Sequence, residues 1–172
     1  MKKCKNGHEN RDDAKFCGTC GATEFGGGGS ELVQKLQTYL QQIYGLSGFQ
    51  ALPGDVGGFL VPRGSTVTVI HIGAVTFRGQ QTPTVSIWAP VAKEVTNIGG
   101  ASNYLLELNA RMAFGAFGYD PNSKQVVFRM SLLAQTLDLE ELHMAVEMVG
   151  GTADQYDEEI PDKVGGKKAT QA

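Results

Sequence analysis

The stretch Thr84-Val85-Ser86-Ile87-Trp88-Ala89-Pro90-Val91 carries an apolar side chain at every second position. Successive side chains on a strand point to opposite faces. Val85, Ile87, Ala89 and Val91 therefore share one face, and Trp88 points to the other. A strand with one filled face belongs in an antiparallel sheet packed on one side. Upstream, residues 65–72 place Val67, Val69, Ile70 and Ile72 among threonines and read as a second strand, with a shorter one over 74–78. Further upstream, Leu32, Leu36, Leu40 and Ile43 recur at helical spacing, which predicts an amphipathic helix ending at Gly45. Residues 46–63, rich in glycine and proline, read as a connecting stretch.

Downstream, Tyr104, Leu105 and Leu108 predict a short helix over 102–111. Residues 112–119 and 125–133 read as a hairpin turned by Asp120-Pro121-Asn122-Ser123. Asp138 stands three residues before Glu141 and opens a helix whose stripe is Leu139, Leu142, Val146 and Val149, in the manner of a capping box. Three helices with four or five mostly antiparallel strands predict an α+β class, an α-β sandwich built on one sheet.

The N-terminus differs in kind. All three cysteines of the 172 residues fall within the first 20, in the pattern Cys4-x3-His8-x8-Cys17-x2-Cys20. Zinc prefers thiolate and imidazole in a tetrahedral shell, and two ligand pairs on two tight turns close such a shell. The set Cys4, His8, Cys17 and Cys20 leaves no position for water, so the expected zinc is structural. Phe16 is the one large apolar side chain between the pairs, so the segment has little to bury without metal. The residues CKNGHENRDDAKFCGTCGA resemble the short bacterial zinc ribbons that open many multidomain proteins. In those ribbons a second cysteine stands where Gly7 stands here, with His8 following it.

The expected domains are a zinc ribbon at 1–25, a linker at 26–30 (Gly26-Gly27-Gly28-Gly29-Ser30), an α+β domain at 31–160 and a disordered tail at 161–172. The linker leads to the expectation that the ribbon behaves independently of the domain.

Composition narrows the function. Hydrophobic residues make up 41% and charged residues 19%, as in ordinary globular chains. The formal net charge is −3, against a protein whose main task is to hold phosphates. No run is long and apolar enough to span a membrane, and the start lacks the apolar core of a signal peptide; the expected compartment is the cytoplasm. No cysteine lies beyond residue 20, His71 and His143 lack a Ser/Asp signature, and no glycine run is followed by Lys-Ser/Thr. The domain thus reads as a non-enzymatic binding module. The acidic group Asp154, Asp157, Glu158 and Glu159 reads as a solvated face.

The stretch Asn103-Tyr104-Leu105-Leu106-Glu107-Leu108-Asn109-Ala110-Arg111-Met112-Ala113-Phe114-Gly115-Ala116-Phe117 adds a resemblance. With the hairpin, the last helix and Ala153-Asp154-Gln155-Tyr156-Asp157, it resembles the YbjN and type III secretion (Tir) chaperone superfamily. In that group a helix bearing an Asn precedes a Phe-Gly-x-Phe strand. The resemblance implies an α-β sandwich that binds extended segments of a client protein or peptide, often as a homodimer. Trp88 is the candidate anchor for such a peptide. The alternative is a nucleic-acid-associated regulator acting through the ribbon. There Lys2, Lys3, Lys5, Arg11 and Lys15 exceed Glu9, Asp12, Asp13 and Glu24 by one charge.

Overall fold

The computed structural model describes residues 2–3, 8–11, 17–18, 28–45, 50–52 and 56–169. In chain order its elements are β1 (Lys2–Lys3), β2 (Glu9–Asn10), α1 (Gly28–Tyr44), β3 (Gln50–Leu52), β4 (Val56–Arg63), β5 (Thr66–Phe77) and β6 (Gln80–Lys93). These are followed by α2 (Ile98–Arg111), β7 (Ala116–Asp120), β8 (Gln125–Leu133), α3 (Leu139–Tyr156), α4 (Glu159–Val164) and β9 (Lys167–Lys168). β1 and β2 form a two-stranded sheet with Lys3 opposite Glu9. The other strands form a seven-stranded sheet in the order β3-β4-β5-β6-β8-β7, with β9 pairing to β6. The class is α+β, as the periodicity predicts.

The strands are longer than the alternation suggests. The two expected strands at 65–72 and 74–78 are one continuous β5, joined to β6 through Arg78 and Gly79. Both turn residues have positive φ, 50° and 76°, the conformation that a two-residue hairpin turn needs to match strand twist. Residues 46–63, read as a connection, contain β3 and β4, paired with Ala51 opposite Gly57. The hairpin strand expected from 112 begins only at Ala116. Gly115, at φ +73°, makes the turn before it, and a Cβ there would meet Phe128 Cζ at 2.7 Å and the Arg129 carbonyl oxygen at 2.9 Å. Only glycine fits both the angle and the space.

The chain divides into two compact units. The first comprises Met1–Val61, Ile70–Ser86 and Leu132–Leu139. Its core holds Leu36, Leu40, Phe59, Val61, Ile70, Ile72 and Val85. Leu36 and Leu40 of the α1 stripe are fully buried, whereas Ile43 is exposed. Lys35 Nζ donates to the Leu137 carbonyl at 3.5 Å. α1 begins at Gly28, so its first turn takes in residues of the expected linker; helical glycine costs about 1 kcal/mol but is not forbidden.

The second unit comprises Pro62–Val69, Ile87–Ser131 and Glu140–Ala172. Ile87, Ala89 and Val91 are fully buried there, as are Val126, Leu142, Val146, Val149 and Ile160. Burying each large aliphatic side chain contributes about 1.5–3 kcal/mol. α3 approaches the sheet closely at Gly150, where a Cβ would meet Arg63 Cδ at 2.7 Å and Thr68 Oγ1 at 2.9 Å. α2 starts four residues earlier than expected, because the Asn97 side chain accepts from Gly100 N at 3.1 Å and caps it.

The tail expected to be disordered is folded as far as residue 169. Ile160, Pro161 and Val164 are buried on α4. Gly166 N then donates to the Pro161 carbonyl at 2.9 Å, and β9 sets Lys168 opposite Ala92. Three apolar contacts in one and a half turns supply the burial that composition seemed to deny the segment. Among the described residues, no helix is long and apolar enough to cross a membrane.

Candidate functional site

The alternation that defines β6 has the expected outcome for burial. Val85, Ile87, Ala89 and Val91 are fully buried, and Trp88 on the opposite row is half-buried, as are Ser86 and Pro90. Within the second unit, Val67 of β5 and Val127 of β8 are half-buried as well, and Arg129 of β8 is exposed. Val67, Trp88, Pro90, Val127 and Arg129 thus supply aliphatic, aromatic and cationic groups that are not sealed inside the unit. Such a set suits an apolar side chain of a partner together with a polar or acidic neighbour.

The resembling motif positions this unit. The Phe117 ring is buried, 4.9 Å from Phe128 and 5.3 Å edge-on from Tyr156. Ala153-Asp154-Gln155-Tyr156-Asp157, read as part of a solvated acidic face, is a tie. Asp154 Oδ1 accepts from Ser65 N at 3.2 Å and from Ser65 Oγ at 2.7 Å. Asp157 Oδ2 lies 2.8 Å from the same hydroxyl. The Ser65 bonds hold the Asp154 carboxyl below its usual range, with the Arg63 charge adding to the effect. Arg63 pairs with Glu147. The turn between β4 and β5 is therefore fastened to α3, which orients the strand bearing Val67. Glu158 pairs with Lys168, and Glu159 with Lys163 at 3.7 Å.

Sequence reasoning missed two contributors. Ser65 gave no signal beyond its place after Arg63-Gly64. Asn109 lies in the stretch that carries the resemblance, as does Asn103, and the motif names neither of them nor a partner. Asn109 Nδ2 donates to the Phe117 carbonyl at 3.0 Å, and its Oδ1 accepts from Phe117 N at 2.7 Å.

At the N-terminus, His8 and Cys17 are described; Cys4 and Cys20 lie outside the described residues, as does Phe16. The Lys3↔Glu9 register leaves residues 4–8 to join the two strands, so His8 immediately precedes β2. Cys17 is fully buried. Asn10 Nδ2 donates to the His8 carbonyl at 2.7 Å and approaches Cys17 Sγ at 3.5 Å, while its Oδ1 accepts from Gly18 N at 3.1 Å. One side chain thus links the His8 strand to the Cys17 turn and aims an N–H at sulfur, the kind of outer contact that stabilises a thiolate ligand. Among the described residues no group of three or more His, Cys, Asp or Glu forms a metal cluster. Arg11 Nη1 donates to the Gly79 carbonyl at 3.2 Å, a tie between this segment and the β5–β6 turn.

A buried helical stripe and a mostly antiparallel sheet, with Trp88 half-buried on it, define an α+β domain. Residues 31–172 match the family described as T3SS (YopN, CesT) and YbjN peptide-binding chaperone 1, and the chain belongs to that family. The family is one of chaperones and not of enzymes. Among solved structures the chain is similar to the ExsC-ExsE complex, at 16% identity and TM-score 0.47, over 76% of this chain and 96% of that one. It is also similar to the HopA1-SchA chaperone-effector complex, at 14% identity and TM-score 0.44, over 77% of this chain and 99% of that one. No curated protein matches the sequence.

Proposed function

We propose that this protein is a non-enzymatic, peptide-binding, chaperone-like adaptor of the cytoplasm. Its client polypeptide lies against the half-buried row of the second unit, and Trp88 is the anchor. The observation that carries this reading is Trp88 itself, an aromatic kept only half-buried opposite a filled row, in a chain of a peptide-binding chaperone family. A homodimer belongs to the same proposal, supported by the exposed Leu106 of α2 and the exposed Phe114 after it. The zinc belongs to it too: Cys4, His8, Cys17 and Cys20 hold one structural ion, with Asn10 bracing two of the four. The metal supplies folding energy to a segment that buries little.

Trp88 is the one tryptophan of the chain, so emission excited selectively at tryptophan, beyond the absorption of the tyrosines, reports on it alone. Titration with a panel of extended peptides of varied sequence should shift that emission for peptides that bind. Trp88→Ala, verified as folded by circular dichroism and titrated against dye-labelled peptides by fluorescence anisotropy, should weaken those peptides tenfold or more, since a central aromatic anchor contributes about 2 kcal/mol or more. A folded variant with full affinity removes Trp88 from the site. Binding to nucleic acid with no polypeptide bound, or turnover of a substrate, overturns the adaptor reading.

A further inference from the structure

We propose that Asn109 is an edge guard, a side chain that occupies the outer edge of β7 and keeps another polypeptide from pairing there. β7 is the last strand in the sheet order and, among the described residues, has a strand neighbour only at β8. In an antiparallel ladder, the N–H and C=O of one residue point the same way, and successive residues point alternately toward and away from the partner. Both backbone groups of Phe117 are bonded to Asn109. Phe117 therefore faces away from β8, and the Phe117↔Phe128 pair is of the type without ladder bonds. The ladder to β8 runs through Ala116↔Arg129 and Gly118↔Val127. Within β7, the outward backbone is that of Phe117 and Tyr119, and Phe117 is the second residue of the five.

The carboxamide of Asn109 offers one donor and one acceptor to Phe117, which is what a residue of an added strand would offer. It is held in place from both ends. On α2, Leu105 and Leu108 are buried beside it, and on β7 the Phe117 ring is locked between Phe128 and Tyr156. A strand arriving at this edge would have to expel a pre-ordered partner before it could bond to Phe117. Open edges template unwanted pairing, and native sheets cover or interrupt them. Asparagine is also a poor helix former, so its place in the last turns of α2 calls for a role that alanine would not fill. The guard acts at the edge and is independent of where a client rests on the sheet.

The test is Asn109→Ala in the full chain, followed by sedimentation across a range of concentrations. The folded variant should self-associate beyond the wild-type assembly state, with a dissociation constant at least tenfold tighter for the added step. A folded Asn109→Ala chain with the wild-type assembly state overturns the proposal. If alanine prevents folding, Asn109→Asp takes its place with the same expectation and the same overturning result, because Asp retains the bond from Phe117 N and lacks the donor for the carbonyl. Amide exchange in the wild type gives a second arm: protection of the Phe117 N–H at the level of the β7–β8 ladder supports the guard, and exchange as fast as in the exposed 121–124 turn overturns it.

Discussion

The two ends of this chain are alike in composition and unlike in how they are held. Each is polar, with glycine and paired lysines: Lys2-Lys3 and Gly7 at one end, Gly165-Gly166 and Lys167-Lys168 at the other. The C-terminal segment folds because Ile160, Pro161 and Val164 fall on one side of a short helix and are buried. The N-terminal segment has Cys17 as its buried apolar group among the described residues, approached by the Asn10 side chain, which also bonds to the His8 carbonyl. The difference teaches that a few apolar side chains at the right period can hold a short polar terminus, and that residue counts do not reveal them; for the N-terminal segment the proposed zinc would take that part.

The strongest way to break this comparison is at the metal. One zinc per chain should be found by metal analysis, and Cys17→Ser should abolish it. Removing zinc should unfold residues 1–25, since comparable zinc peptides gain on the order of 10–16 kcal/mol from the ion. Well under one zinc per chain after mild purification sinks the metal half of the comparison.

The apolar half comes next. Ile160→Ala should destabilise the second unit by about 2–5 kcal/mol in denaturant unfolding, the cost of a cavity at a fully buried aliphatic. A change within experimental error would mean that α4 adds nothing to the domain.

A smaller effect tests whether the N-terminal end matters to the rest. The Arg11–Gly79 bond is exposed, so Arg11→Ala, or chelation of the zinc, should move the thermal transition of residues 31–169 by no more than about 1 kcal/mol. A large shift on adding chelator would show that the metal segment stabilises the domain, and the independence expected from the glycine linker would fail.

The smallest effect is in pH. The Asp154 carboxyl titrates below its ordinary value because Ser65 bonds to its charged form. A depressed carboxylate contributes stability that is fully present above the unfolded value of about 3.9 and is lost as pH falls through the folded one. The difference in midpoint between wild type and Asp154→Ala should therefore be constant from neutral pH down to about 4 and shrink below it. A difference that persists unchanged in stronger acid would place its cause outside the Ser65 tie.

What the sequence made legible follows from periodicity. Val85, Ile87, Ala89 and Val91 were readable as one face, and Leu36 and Leu40 as another, because burial on one side enforces a period. Strand β4 was hidden by Gly57, Gly58 and Pro62, which signal a loop. The structure tolerates Pro62 by placing it exposed near the end of the strand. Helix α4 was hidden by Pro161, which sits in the first turn, where its missing N–H breaks no helical bond. At the candidate surface, Trp88 was legible from alternation alone. Asn109 and Ser65 were not, because each acts on a backbone or carboxylate that only the fold brings near. Cys4 and Cys20 rest on spacing, and His8 and Cys17 on spacing and the Asn10 brace.

The order β6-β8-β7 has a consequence for synthesis. β7 leaves the ribosome before β8, yet β8 is its neighbour in the sheet and separates it from β6. Until residue 133 has emerged, β6 therefore presents one edge of unpaired backbone N–H and C=O groups, for a time on the order of seconds at ribosomal rates. Helix α2, made from local contacts in that interval, can form first, while β7 waits for a strand that is still being translated. Birth order and spatial order thus disagree here, as they do where β9 joins β6, and the longer β6–β8 pairing leaves the nascent chain open to mispairing.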